Sequence, residues 1–397
     1  MTQEKVVLKE GVSAVTAIDD LLAYAHRHRA SDIHIDPNET RVDVRVRVDG
    51  VLLWVAELPL KLHQTLVSRI KILGGLRTDE HQSAHDGRFK MLVEGKAIHV
   101  RISICPTYYG ENIVLRLLAD HAEGASLPRL GFSKANLAAI ESQLRSSSGM
   151  ILATGPTGSG KTTTLYALLQ SVATPELSVI TIEDPVEYAL AGVRQIQVNP
   201  QTGLTFAAGL RSVLRQDPDV IMVGEIRDRT TATVAVNTAL TGHMLLSTLH
   251  TSDAATTLPR LLDMRVEPYL IASTVRMAIG QRLVRTICSG CKRERPVTEL
   301  ERRAIGAISG SSVLEKVSFG EGCERCFRSG FFGRAVVAEV LIVTDPIREA
   351  IMRRDSARVI KGIAIKEGMR PLILDGLDKV AAGITTLEEV FRVIHEA

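Results

Sequence analysis

Apolar and polar residues recur along this chain with two different periods, and the elements they predict change character near residue 130. Residues 12–29 carry Val15, Ile18, Leu22 and Ala25 at helical spacing, which predicts an amphipathic helix. Residues 41–48 then alternate strictly, and Asp49-Gly50 supplies a tight turn before Val51–Val55, the pattern of a β-hairpin. A second hairpin is expected across Glu94-Gly95, joining Arg88–Val93 to Ala97–Ile104. Further on, the apolar runs become nearly continuous. Met150–Thr154, Val179–Ile182, Val220–Val223 and Met244–Thr248 read as buried strands separated by helical stretches, which indicates a parallel sheet covered on both faces. From about Thr344 the pattern is that of amphipathic helices.

Between the two regimes, residues 119–129 are small, polar and interrupted by Gly124 and Pro128, a linker composition. The expected organisation is an N-terminal α/β domain over 1–118, the linker 119–129, and a second domain over 130–397. With 397 residues the chain has room for these cores, and 45% apolar and 23% charged residues are values of a globular protein. A net charge of +3 gives no support to a role on nucleic acid, and none is expected as a partner. No apolar run approaches the ~18 residues needed to span a bilayer. The N-terminal ten residues have no apolar core, so the expected location is the cytoplasm.

Chemistry enters at Gly155-Pro156-Thr157-Gly158-Ser159-Gly160-Lys161-Thr162, followed by Thr163. An apolar run precedes it and a helix-compatible run follows, the strand–loop–helix context of a phosphate-binding loop. The glycines let successive N–H groups turn inward around a phosphate at a helix N-terminus. Lys161 is expected to reach the β- and γ-phosphates of ATP and the Thr162 hydroxyl to hold Mg²⁺. Hydrolysis also needs carboxylates at neighbouring strand ends, and two such ends supply them: Glu183-Asp184 and Glu225. For Asp184, before Pro185, a helix cap is the lesser alternative. His243 and His250 bracket another strand; His250 is expected to sense the γ-phosphate and His243 to be mainly structural.

Five cysteines are present, and four form the pairs Cys288/Cys291 and Cys323/Cys326. Two C-x-x-C turns close a tetrahedron of thiolates, so a structural Zn²⁺ is expected there. Cys105, alone in an apolar strand, reads as core packing.

Residues 214–228, with Arg215, Pro218, Asp219, Gly224, Glu225, Arg227 and Asp228, resemble the signature of the type II secretion and type IV pilus assembly ATPases. The resemblance extends through 30–35, Asp86-Gly87-Arg88, the phosphate loop, the carboxylate box 183–187, the histidine box 241–251 and 383–390, covering roughly 12–392. It implies an α/β fold in which a PAS-like α+β domain precedes a RecA-like ATPase domain. That domain would carry a tetracysteine zinc module (283–335) and a C-terminal helical region (344–397). For the site, the resemblance implies Glu225 as the second-motif carboxylate, Glu183 as an aid in polarising water, and Arg227 beside the nucleotide with Arg211 and Arg215. Arg101 and Arg116 match arginines supplied across a subunit boundary. The implied assembly is a homo-hexamer, peripheral to the inner membrane through protein partners, that drives filament assembly through an inner-membrane platform protein. The tetracysteine pattern is that of assembly-type members; a retraction motor or a catalytically weak nucleotide-gated subunit are the alternatives. The sequence departs from the family at Thr230, where a Glu is usual, and at 80–86. An additional N-terminal docking domain is expected to be lacking.

Overall fold

The computed structural model describes residues 13–118, 126–309 and 314–395, which belong to two compact units, Met1–Glu123 and Gly124–Ala397. Most of the expected linker, 119–125, lies outside the described residues; Leu127–Leu130 forms one 3₁₀ turn.

The first unit holds strands β1 (Ala30–Pro37), β2 (Arg41–Val48), β3 (Val51–Pro59), β4 (His85–Val93), β5 (Lys96–Thr107) and β6 (Gly110–Leu118). They form one antiparallel sheet in the order β3-β2-β1-β6-β5-β4. The hairpins turn at Asp49-Gly50 and Glu94-Gly95, where all four residues take positive φ, as a two-residue turn of matching twist requires. Helices Ala14–Arg27 and His63–Leu73 share the core with one sheet face, through Ile18, Leu21, Leu22, Leu66 and Ile70. Ser13 caps the first helix by accepting the Thr16 N–H at 3.2 Å.

Period-two alternation settles the other face. Val100, Ile102 and Ile104 are buried, so Arg101 and Cys105 point the opposite way. Cys105 is exposed, which corrects its reading as core: an apolar strand buries only alternate positions. On this outer face the register sets Arg88 opposite Arg101, Arg101 opposite Arg116, and Arg116 opposite Asp32.

The second unit is built on β7 (Gly149–Thr154), β8 (Val179–Glu183), β9 (Arg194–Gln197), β10 (Val220–Val223), β11 (Met244–Leu249) and β12 (Val275–Ile287). Two short strands, β13 (Lys292–Pro296) and β14 (Lys316–Gly320), pair separately, and β15 (Phe331–Ile342) completes the main sheet. The main order is β15-β12-β7-β11-β10-β8-β9, parallel throughout except for the antiparallel pair β12–β15. Met150, Leu152, Ile180 and Ile182 enter one core, while Ile151, Ala153 and Val179 enter the other with the helix Lys161–Val172. Continuous apolar strands thus follow from helices on both faces.

The C-terminal pattern resolves into helices Asp345–Met352, Ala357–Lys366, Leu372–Ala381 and Leu387–His395. The last is tied to β12 by Glu389. Its buried carboxylate accepts from the Arg285 backbone N–H at 3.1 Å and guanidinium at 2.6 Å, and from Arg392 at 2.8 Å. Burial pushes this carboxyl up, but Arg392 and Arg285 outweigh it and hold it at about 2. No helix among the described residues is long and apolar enough to cross a membrane.

Candidate active site

Strand β7 runs straight into the loop Gly155–Gly160, and the helix Lys161–Val172 starts at once. Gly160 stands at the helix N-cap with φ +85°, a left-handed conformation that a side chain would strain. At Gly155 the limit is space: a Cβ there would lie 2.5 Å from the Gln281 carbonyl oxygen and 2.7 Å from Ser159 Oγ. Pro156, Thr157 and Gly158 at the loop's crest, and Thr162 and Thr163 in the first helical turn, are exposed. Lys161 is buried, and its Nζ donates to the carbonyls of Gly155 (2.8 Å) and Pro156 (3.0 Å). Burial pulls its ammonium down to about 8, opposed by Glu225 and reinforced by Arg282.

The ends of β8, β10 and β11 deliver the other groups, as the crevice at the carboxyl ends of parallel strands requires. Gly224 N–H donates to the Ile182 carbonyl at 2.8 Å and Ile226 N–H to Thr248 at 3.0 Å, so Glu225 is pinned between its neighbours. Its carboxylate is paired with Arg227 and lies 3.4 Å from His250 Nε2. Contact with Glu225 raises the Arg227 pKa. Lys161, Glu225, Arg227 and His250 are therefore one electrostatic group.

Glu183 has different surroundings. It is 2% exposed, and its oxygens accept from Tyr166 Oη, Thr181 Oγ1 and Gln195 Nε2 (3.1 Å). Burial, then the Glu183 carboxylate, raise the Tyr166 phenol far above its usual range, so it stays a donor. Asp184 is exposed at the same strand end. His243 bonds the Thr238 carbonyl at 3.2 Å, closing the C-terminal end of the helix Arg229–Leu240. At that helix's N-terminus Asp228 accepts the Thr231 N–H at 2.8 Å, while Thr230 is exposed. Arg211 and Arg215 lie on or just beyond the helix Phe206–Val213, and Arg215 donates to the Arg211 carbonyl at 3.0 Å.

Arg101 and Arg116 belong to the other unit. They face each other across β5 and β6, exposed, with Arg116 Nε 2.9 Å from Asp32 Oδ1.

The four cysteines converge. Cys288 and Cys323 sulfurs are 3.8 Å apart, Cys291 and Cys326 3.7 Å, and all four lie within 4.8 Å of one another. A tetrahedral ion with bonds of ~2.3 Å sets its sulfurs ~3.8 Å apart, so the donor set fits Zn²⁺. Backbone N–H groups of Gly322 (3.3 Å) and Cys323 (3.2 Å) point at Cys291 and Cys326. Burial alone raises the Cys326 thiol, but the Cys323 and Gly330 N–H groups and adjacent thiols bring it to about 7.

Two groups of functional weight escaped the sequence reading. Tyr166 looked like one more apolar helix position, and Gln281-Arg282 were not singled out. The latter left a signal: a polar pair directly after the apolar run Met277–Gly280, in a sheet covered on both faces.

Comparison with known proteins finds relatives over most of the chain. A family model described as Type II/IV secretion system protein matches residues 9–392. The type II secretion system protein E of Pectobacterium carotovorum subsp. carotovorum is 45% identical over 383 residues, 96% of this chain and 76% of that protein. The type IV pilus assembly ATPase PilB of Myxococcus xanthus (strain DK1622) is 42% identical over 384 residues, 95% of this chain and 67% of that one. Among solved structures, the ATPase DotB of Legionella pneumophila shares the fold, with a TM-score of 0.70 at 22% identity over 99% of this chain and 98% of that one.

Proposed function

The chain belongs to the type II/IV secretion system protein family, and on that premise we propose that it hydrolyses ATP as one subunit of a homo-hexameric motor that assembles a pilus or secretion pseudopilus filament. The observation that carries the reading is the meeting of Lys161, Glu225, Arg227 and His250 at the carboxyl ends of parallel strands, beside the exposed hydroxyl of Thr162. Lys161 exchanges its two loop carbonyls for phosphate oxygens. Thr162 holds Mg²⁺, which when bound neutralises charge on the phosphates. Glu225 orients the attacking water and takes its proton, and His250 Nε2 reports the phosphate state to that carboxylate. Glu183, with both oxygens engaged, contributes at one remove, by fixing the end of β8 and adding negative field behind the water. Arg101 and Arg116 complete a neighbouring subunit's site.

The cysteine cluster holds Zn²⁺ as a closed structural site and favours assembly over retraction. The partner that receives the force is an integral inner-membrane platform protein, and the chain is peripheral to that membrane in the cytoplasm.

The test is ATP binding and turnover in two variants. Glu225→Gln keeps the shape of the side chain and should bind ATP within about threefold of wild type while losing 10²-fold or more in turnover. Lys161→Ala should lose binding itself. A Glu225→Gln protein that turns over at half the wild-type rate or better removes that residue from the catalytic set.

A further inference from the structure

Strand β12 lies beneath the phosphate loop because it pairs in parallel with β7, with Gly280 opposite Thr154. The next two residues of β12, Gln281 and Arg282, therefore continue alongside Gly155, the first residue of the loop. Both are buried, at 0% and 4% exposure. Gln281 Nε2 donates to the Ser159 carbonyl at 2.7 Å, which fixes the amide and leaves its Oε1 buried without a partner; Ser159 Oγ is in the same condition. Arg282 donates from Nη1 to the Gln281 carbonyl at 3.0 Å and from Nη2 to the Ser252 carbonyl at 2.7 Å. Nη1 would stand 3.2 Å from a Cβ on Gly155.

A buried cation ordinarily meets a carboxylate. This guanidinium meets only carbonyl oxygens among the described residues. Burial lowers its pKa, and Glu339 and Asp253 act on it only at a distance. Lys161 shares its surroundings closely enough that the two cations repel. Two buried positive charges at the root of one loop, neither neutralised by a contacting acid, are unfavourable until an anion arrives. Its second bond gives Arg282 a further reach. Ser252 follows His250 by two residues, and Thr251 N–H is already bonded to Thr154 Oγ1 at 3.1 Å. The segment that carries His250 is thus tied to the end of β7 through Thr154 and to β12 through Arg282.

We propose that Arg282 is a positioning residue of the nucleotide site: it clamps the His250 segment to β12 beside the first residue of the phosphate loop, and its charge balances the bound phosphates through that loop. The proposal rests on the ATP-binding reading of Gly155–Thr163. Gln281 supports it by holding the loop's far end at Ser159.

Charge and clamp are separable by substitution. Arg282→Gln removes the charge; Arg282→Lys keeps the charge but has no planar fork to bridge two carbonyls. Affinities for adenosine, AMP, ADP and ATP are measured by competition with a fluorescent ATP analogue, together with kcat and the melting temperature. Arg282→Gln should weaken ADP and ATP by about tenfold or more and leave adenosine unchanged, since only ligands that carry phosphate charge gain from the buried guanidinium. Arg282→Lys should restore ADP and ATP affinity to within about threefold, yet keep a reduced kcat because His250 is no longer held. Unchanged phosphate dependence in both variants overturns the proposal, as does an equal loss for all four ligands accompanied by a lower melting temperature. Lys161→Ala is run alongside. If it too binds ATP normally, the phosphate-loop reading itself fails; if it loses binding while the Arg282 variants do not, only this inference falls.

Discussion

Glu225 and Glu183 end adjacent parallel strands, yet their carboxylates meet different neighbours, and that difference is the basis for the different work proposed for each. Glu225 is held by Arg227 and His250, two groups proposed above to meet phosphate, and its charge acts on Lys161. Glu183 has three donors and 2% exposure. A proton moved to it would break bonds already made. Tyr166→Phe tests this division: it removes one donor and leaves Glu183 Oε2 buried and unmatched, which should destabilise the second unit by about 1–3 kcal/mol. Turnover should fall far less than in Glu225→Gln. The measurement pairs a denaturant midpoint with ATP turnover, and a Tyr166→Phe protein of wild-type stability with turnover as low as Glu225→Gln would make Glu183 a direct catalyst.

At the scale of elements, much was legible because burial is periodic. The strands expected at Val179–Ile182, Val220–Val223 and Met244–Thr248 appear as Val179–Glu183, Val220–Val223 and Met244–Leu249, each within one residue. The turns at Asp49-Gly50 and Glu94-Gly95 were legible because left-handed pairs select those residue types. What stayed hidden was long-range. That β12 would lie under the phosphate loop, that β1 would pair with β6, and that Tyr166 would reach the end of β8 depend on strand order, which local patterns do not encode. Cys105 failed for the opposite reason, since an apolar run was read without its alternation. The cysteine cluster belongs to this scale too. Its four sulfurs join the turn after β12 to the turn before β15, across the small β13–β14 sheet. Elemental analysis of the reduced protein should find about one Zn²⁺ per chain, and Cys323→Ser should lower it and unfold the β13–β14 module locally, because structural zinc binding is coupled to folding. Nucleotide affinity should stay within about twofold, since the ligands touch no residue of the loop. Metal-free protein with an intact module removes zinc from the reading.

For the whole molecule the question is which chain completes the site. The motor unit supplies Lys161, Thr162, Glu225, Arg227 and His250 by itself. Arg101 and Arg116 stand on the other unit, in a row with Arg88 across three adjacent strands, and like charges set directly opposite in a sheet are unfavourable without an anion. Of the three, Arg116 has a carboxylate partner, Asp32 at 2.9 Å, which a phosphate would have to displace. In the proposed ring such a row would meet the phosphates of an adjacent subunit, where arginine supplied in trans is worth about 10³–10⁵ in rate. If it does so in a ring, specific activity should rise with protein concentration as rings form. The decisive measurement mixes two inactive proteins, Arg116→Ala and Glu225→Gln, in equal amounts. In randomly mixed rings, the chance that a given interface pairs an intact Glu225 with an intact Arg116 from its neighbour is about one in four. Activity should therefore return to roughly a quarter of wild type, and it should vanish when the Arg116→Ala chain, the one that keeps Glu225, also carries Lys161→Ala. Rings that form from both variants yet remain inactive when mixed would place the arginines within their own chain. The ATPase would stand, but catalysis would no longer report that a neighbour has closed.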